Sequence, residues 1–478
     1  MSHPPAALRA TCPGPVPRRA FLRMGLAGLA SLTLPGLLRL RAQAGLASPR
    51  ERTAVIVVWL RGGASHLETY DPKPAASSDF RGPYRPISTR VPSLQICELL
   101  PRHAEIADRF TILRSMAHTG GGHPAGSLQL LGGDPDPADK QRPVYPDFLS
   151  VAHYLRSDPD ATRSLPNYVG VNGISTYDGF QIAGPGYLGP AYEPFMVGGD
   201  PNDPRFEIPN LGPKQPEEAE RLRTRIGLRQ RFDRLRRHLD QADAMQAIDA
   251  FEAQALNLLL GPKAREAFDL SREDPRVRDR YGRHAWGQRC LMARRLVEAG
   301  VELITTTFDG PLCGRVQNWD DHAVNHNVFE ATKYRAPFFD QAVSALIEDI
   351  YLRGLDKRVL VVVTGEFGRT PRISYVASSG GGVASATQGV VQPGRDHWPN
   401  ANSMLFAGGG ISTGQVIGAT DRRGEEVVSR RVKPADFLLT VYRHLGVDPD
   451  RIPDKNVSGR PPLILSQGKV IPELVGGS

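Results

Sequence analysis

Two blocks in the last third of the chain hold side chains suited to chemistry. Gly365-Glu366-Phe367-Gly368-Arg369-Thr370-Pro371 and Gly394-Arg395-Asp396-His397-Trp398-Pro399 each set a carboxylate near an arginine, and the second adds a histidine. Such a set can hold a divalent cation or neutralise an oxyanion. A single Glu-Arg pair is more often a satisfied ion pair in a solvated loop, but its repetition with Asp396 and His397 favours a site. A third block, Trp319-Asp320-Asp321-His322-Ala323-Val324-Asn325-His326, supplies oxygen and imidazole donors of the kind that bind zinc, manganese or iron. His322 and His326 stand four apart and would share a face of a helix. Asp320 or Asp321 would equally cap a long helix predicted from about Asn325 to Arg353. Earlier in the chain, Arg61-Gly62-Gly63-Ala64-Ser65-His66 and His118-Thr119-Gly120-Gly121-Gly122-His123-Pro124 add histidines on glycine-rich turns. The first alone reads as a tight strand-to-loop turn with His66 on the surface; the second fits either a metal-rich loop or a simple flexible loop.

The elements that must position these blocks are apolar runs. Val359 to Thr364 is almost pure Val and Leu and stops at Gly365, the pattern of a parallel strand buried on both faces. Ala54 to Leu60, Phe110 to Met116, Val301 to Phe308 and Ser403 to Ala407 repeat it, with a short run at Tyr168 to Val171. Most of the histidine and carboxylate blocks follow such a run, and ligands in open α/β sheets bind at the carboxyl ends of strands. Pro124 suits the first turn of a helix over Ala125 to Leu131, whose start would favour an anion. A helix from Pro434 to Leu445 ends at Gly446. Residues 216 to 300 are charged, alanine-rich and helical in spacing, either an insertion or the helices covering one side of the sheet.

Composition removes some function classes. The formal charge is +8, but six arginines and no acid lie in residues 1 to 44, so the remainder is nearly balanced and nucleic-acid binding loses its support. Pro17-Arg18-Arg19-Ala20-Phe21-Leu22-Arg23 precedes an apolar run to Leu38 and a small-x-small site at Ala42-Gln43-Ala44. This reads as a twin-arginine export signal over 1–44, which implies the twin-arginine machinery as partner and a periplasmic or secreted product. The run is too short for a stable transmembrane span in the mature form. Beyond Cys12, the three cysteines Cys97, Cys290 and Cys313 have no CxxC spacing, so no disulfide framework or zinc-thiolate site is indicated. No GxGxxG follows a strand, which excludes a nicotinamide-dependent dehydrogenase of the usual kind.

Together RGGASH with DPKP, GHPAGSLQLLGG, GYLGPAYEP, WDDH, GEFGRTPRI and GRDHWP resemble an exported family catalogued as domain of unknown function 1501, within the alkaline-phosphatase-like and sulfatase-like superfamily. The resemblance covers nearly the whole chain after residue 44. It implies one doubly wound, mostly parallel α/β domain over 45–478, with divalent metal (zinc, manganese, iron or calcium) around a small-molecule or carbohydrate ester of phosphate or sulfate. Carried over residue by residue, Asp320, His322, Glu366 and His397 resemble metal ligands, with His66 at the edge and His326 a rival to His322. Arg61 stands where an Asp is expected, and His123 where the nucleophile is expected. His123 would be a metal ligand with water as nucleophile, or would itself accept a phosphoryl group; Thr119 and Ser127 are nearby alternatives. Arg369 and Arg61 would neutralise the ester's charge, and Asp396 would orient His397. The absence of a CxPSR run argues against a formylglycine sulfatase. The alternative function is a catalytically degenerate, metal-stabilised binding protein of the cell envelope.

Overall fold

The computed structural model describes residues 52–157, 165–208, 262–310, 312, 318–381, 384–451, 465 and 467–475. The export signal read at 1–44, residues 216–261 of the helix-rich segment and Cys313 lie outside the described residues. An eight-stranded sheet organises the rest. Its strands are β1 (Ala54–Trp59), β2 (Phe110–Met116), β3 (Tyr168–Val171), β4 (Phe195–Val197), β5 (Leu303–Thr307), β6 (Val359–Thr364), β7 (Asn402–Gly408) and β8 (Gln415–Ile417). Their order across the sheet is β8-β2-β7-β6-β1-β5-β3-β4. Every neighbouring pair is parallel except the two that involve β7, which runs against β6 and β2. The expected fold class, a doubly wound, mostly parallel sheet with helices on both faces, is borne out.

The unbroken Val/Ile/Leu runs are explained by two-sided burial. Ile56 and Val58 of β1, with Val361 and Val363 of β6, enter one core with α3 (Ala285–Glu298) and α4 (Val328–Leu352). The alternate residues Val55, Val57 and Val362 enter the other, with α1 (His123–Gly132), α2 (Phe148–Arg156) and α5 (Pro434–Leu445). Each such side chain contributes about 1.5–3 kcal/mol relative to exposure, so a polar residue in either phase is disfavoured.

Local expectations hold with identifiable exceptions. The central strands β1, β2, β3 and β6 and the helix α5 follow the predicted runs, and Gly446 closes α5 in a left-handed conformation. The long helix starts later than expected and is capped by Asn327, whose Oδ1 accepts from Phe329 N and Glu330 N. Asp320 and Asp321 are therefore not its caps. The described part of the helix-rich segment includes α3, which lies against the sheet. The stretch from Tyr145 to Pro213, dense in Pro and Gly and with only Tyr168 to Val171 reading as a strand from sequence, also supplies the edge strand β4 and a hairpin of Thr176–Tyr177 with Phe180–Gln181. Cys97 and Cys290 are buried free thiols.

Candidate metal centre

The carboxyl ends of β1, β2, β5 and β6 open on one edge of the sheet, because all four strands run the same way. The turn after β1 passes through Gly62, whose φ is 101° and whose position a Cβ could not share with Asp320 N, 2.6 Å away. Trp319 N donates to Arg61 O at 2.7 Å, so this turn fixes the loop that presents Asp320. Gly368–Arg369 pairs with His397–Trp398 in a two-stranded ribbon, setting Arg369 opposite His397. His123 is the first residue of α1, behind the three glycines that follow β2. The anion-favouring start of that helix is met from within the chain, since Ala125 N donates to Asp139 Oδ1 at 2.9 Å.

Four of these side chains converge. One ligand atom each from His123, Asp320, His322 and His397 lies within 4.8 Å of the others. Asp320 Oδ1 is 3.3 Å from His123 Nε2, 3.0 Å from His322 Nε2 and 3.3 Å from His397 Nε2; the last two nitrogens are 3.0 Å apart. The edge of a tetrahedron with bonds of about 2.05 Å is about 3.3 Å, so the spacing suits a zinc-sized ion.

The far nitrogen of every imidazole is tied. His123 Nδ1–H donates to Glu366 Oε1 at 2.7 Å, His322 Nδ1–H to Asp396 Oδ1 at 2.6 Å, and His397 Nδ1–H to Gly121 O at 2.8 Å. Acceptors at all three Nδ1 positions fix the tautomer that leaves each Nε2 lone pair facing the others, as metal-bound histidines require. Burial disfavours the charged His322, but Asp320 and Asp396 outweigh it and raise its pKa to about 9. Burial likewise opposes charge on His123, where Asp320 and Glu366 prevail and the pKa is raised. Burial opposes the charged form of Asp320 too, yet the three imidazoles and Arg369 hold its carboxyl far below the usual range.

The other residues singled out from sequence take different places. Glu366 is fully buried and accepts from His123 and from Gly62 N at 2.9 Å, which sets it behind the four-residue group. Arg369 is also fully buried: Nε donates to Gly63 O, Nη1 to Arg395 O, and Nη2 to Gly62 O and, at 2.5 Å, to Asp320 Oδ1. Its donors hold Asp320 and the surrounding turns. His66 is outside the group, with Nε2 against Gly424 O at 2.9 Å and burial depressing its pKa. His326 sits 3.5 Å from Asp321, which is itself paired with Arg335. Asp396 contacts His322 and not His397, because the ribbon turns His397 towards Gly121.

Tyr177 had no signal of its own in the sequence. Its ring stacks on His123 at 3.9 Å and 17°, while the Arg61 guanidinium lies over the ring at 4.5 Å. His123 fills one face, so Arg61 occupies the other and is separated from the metal centre by Tyr177. The findable signal was Asp178-Gly179, a two-residue hairpin turn with both φ positive, at 47° and 84°.

Comparison with known proteins adds a family. No curated protein matches the chain. Similar solved structures include the phosphonate monoester hydrolase of Agrobacterium radiobacter, at 13% identity and TM-score 0.36 over 89% of this chain and 78% of that one. A 2-O GAG sulfatase is similar at 11% identity and TM-score 0.36 over 90% and 75%, and a sulfatase from Pseudoalteromonas sp. at 13% and 0.33 over 92% and 74%. The family model described as "Protein of unknown function (DUF1501)" matches residues 52–475, and the chain belongs to that family.

Proposed function

We propose that this protein is an exported, divalent-metal-dependent hydrolase of phosphate or sulfate esters, acting on small-molecule or carbohydrate substrates. The observation that carries the reading is the convergence of three Nε2 atoms and one carboxylate oxygen, with every Nδ1 held by an acceptor. Three nitrogen donors suit zinc, manganese or iron better than calcium, which takes oxygen ligands. A bound cation supplies Lewis acidity towards an ester oxygen and towards water.

The chain's own residues define the rest. His123 has Nδ1 committed to Glu366 and Nε2 to the centre, which leaves it no free nitrogen for accepting a phosphoryl group. Ser127 is fully buried and out of reach of a substrate. Thr119 Oγ1 is engaged by the Gln129 amide, accepting from Nε2 at 2.9 Å and donating to Oε1 at 3.3 Å, so water is the nucleophile in this reading. The His322 and His397 side chains are 24% and 22% exposed and form the open side on which an ester can approach. Arg369 holds Asp320 in place and has no donor facing outward.

The supporting experiment is a screen of aryl phosphate monoesters, diesters and sulfates on the signal-free protein, with and without chelator. Turnover that chelator abolishes and added zinc or manganese restores is expected. Full metal loading without turnover on any ester would contradict the hydrolase. One observation favours a second reading, a metal-stabilised binding protein: four protein donors complete a tetrahedron, as in structural zinc sites. Export rests on the twin-arginine pattern at residues 17–23, and cleavage and localisation in a bacterial host would test it.

A further inference from the structure

Beside the metal centre, the carboxyl ends of β1, β3 and β5 carry a second group of donors. Asp309, two residues past β5, accepts from Asn172 Nδ2 at 2.8 Å and Arg289 Nη1 at 3.3 Å, and faces Arg61 Nη1 at 3.5 Å. Arg289 also donates to Thr307 O and Gly199 O. Asn172 holds a left-handed φ of 49°, uncommon outside glycine, which turns its amide to Asp309. Trp286 Nε1–H donates to Asp309 O at 2.7 Å and pins the loop.

The donors are not used up. Nε of Arg61 and Nε of Arg289 are both buried without a partner, and Arg289 is only 7% exposed. A buried guanidinium N–H left unpaired carries a desolvation cost that an incoming oxygen would remove. The 3.5 Å contact with Asp309 is the one ion pair of Arg61 among the described residues, and its side chain remains 28% exposed. The Arg61 guanidinium carbon lies over the Tyr177 ring, 4.5 Å from its centroid, and the planar fork of a guanidinium suits an oxyanion or carboxylate.

We propose that Arg61 and Arg289 form an anion seat separate from the metal centre, which takes a sulfate, phosphate or carboxylate group; Asn172, whose amide is spent on Asp309 and Thr307 O, holds Asp309 in place behind them. That group comes either from the substrate or from free anion. On the ester-hydrolase reading, on which only this assignment to a substrate rests, the substrate is an ester carrying a second anionic group. The His123 ring and the Arg61 guanidinium lie 3.9 and 4.5 Å from the Tyr177 ring centroid, one on each side, so a substrate that meets both passes around the edge of that ring.

The test follows the unpaired donors by NMR in chelator-treated, full-length mature protein carrying isotope-labelled arginine. Loss of signal in Arg61→Gln and Arg289→Lys assigns the two Nε–H resonances. Inorganic sulfate is expected to shift both saturably with one affinity, and Arg61→Gln, at the exposed position, to abolish the Arg289 shift while the fold is kept. Resonances that stay in place, or that move only without saturation, would overturn the seat and leave an internal ion cluster. Because no metal or turnover is needed, the result stands whether or not the hydrolase reading does. A matched pair of non-hydrolysable probes then identifies the source in metal-loaded protein. About tenfold tighter binding of para-phosphonobenzoate than phenylphosphonate, lost in Arg61→Gln, marks a tethered second group. Sulfate binding with equal affinity for the two probes marks a free anion.

Discussion

Glu366 separates the sequence-level resemblance from the geometry. As a metal ligand, its loss would remove a donor; as the acceptor behind His123, its loss would only free a ring. Glu366→Ala leaves His123 Nδ1–H and Gly62 N–H, now at 2.7 and 2.9 Å from Oε1, without an acceptor in a fully buried position. Each unpaired donor costs about 1–3 kcal/mol of stability. Partners of this type are worth 10–100-fold in metal affinity, or about 1.4–2.7 kcal/mol. Glu366→Gln keeps one carbonyl oxygen where Oε1 stands, and its amide replaces Oε2, which has no partner now. The expected order of zinc affinity, by competition with a chromophoric chelator, is native, then Glu366→Gln within several-fold, then Glu366→Ala. Asp320→Ala, which removes a convergent donor, should fall well below all three. If Glu366→Gln sheds metal as completely as Asp320→Ala, Glu366 is itself a ligand and the geometric reasoning fails.

Other consequences follow from the same contacts. Tyr177→Phe keeps the ring stacked on His123 and loses only the 3.3 Å bond from Asn318, so metal affinity should stay near native; Tyr177→Ala removes a stack worth about 0.5–1.5 kcal/mol and should lower it measurably in the same titration. Asn327→Ala removes the cap of α4 and should cost about 1 kcal/mol in urea unfolding with no change in metal content. Stability of the metal-free protein should fall as pH drops from about 6.5 to 4. Burial lowers His118 and His284 to about 4, so in this window the unfolded chain binds two protons that the folded one does not. Burial raises Asp147 to about 6, against the N–H groups of Ser150 and Gly184, which returns one proton to the folded state. His66 and His444, also lowered by burial, act with the first pair. The net is at least one proton, a slope of about 1.4 kcal/mol per pH unit, and His284→Asn should flatten it. A stability that rises on acidification across this window would contradict the burial argument.

The sheet was legible because a strand buried on both faces must be apolar at nearly every position, as β1 is throughout and β6 is up to Thr364. The edge strand β4, three residues in a Pro- and Gly-rich stretch, has too little buried surface to leave a pattern. Asp320, His322, His397 and His123 were readable as chemistry, since histidines on loops after strands have few other reasons to cluster. What was not readable is which further residue joins Asp320, His322 and His397. Whether Glu366 or His123 faces the centre depends on a rotation of two side chains that are 243 residues apart in sequence and 2.7 Å apart in space. Arg369 was taken as an outward anion binder because nothing local shows that Gly62 O, Gly63 O and Arg395 O would occupy its donors. Tyr177 became part of the centre only through a hairpin that brings its ring onto His123.

The most direct test of the centre is the metal content and coordination of the purified, signal-free protein, by elemental analysis and X-ray absorption at the metal edge. One tightly held ion per chain is expected, with nitrogen and oxygen ligands at about 2.0–2.2 Å and the outer scattering of three imidazoles. Replacing Asp320 or His123 by Ala should remove it. A protein that takes up no zinc, manganese or iron, or an ion whose imidazole scattering survives in both variants, would contradict the assignment of His123, Asp320, His322 and His397 as its ligands.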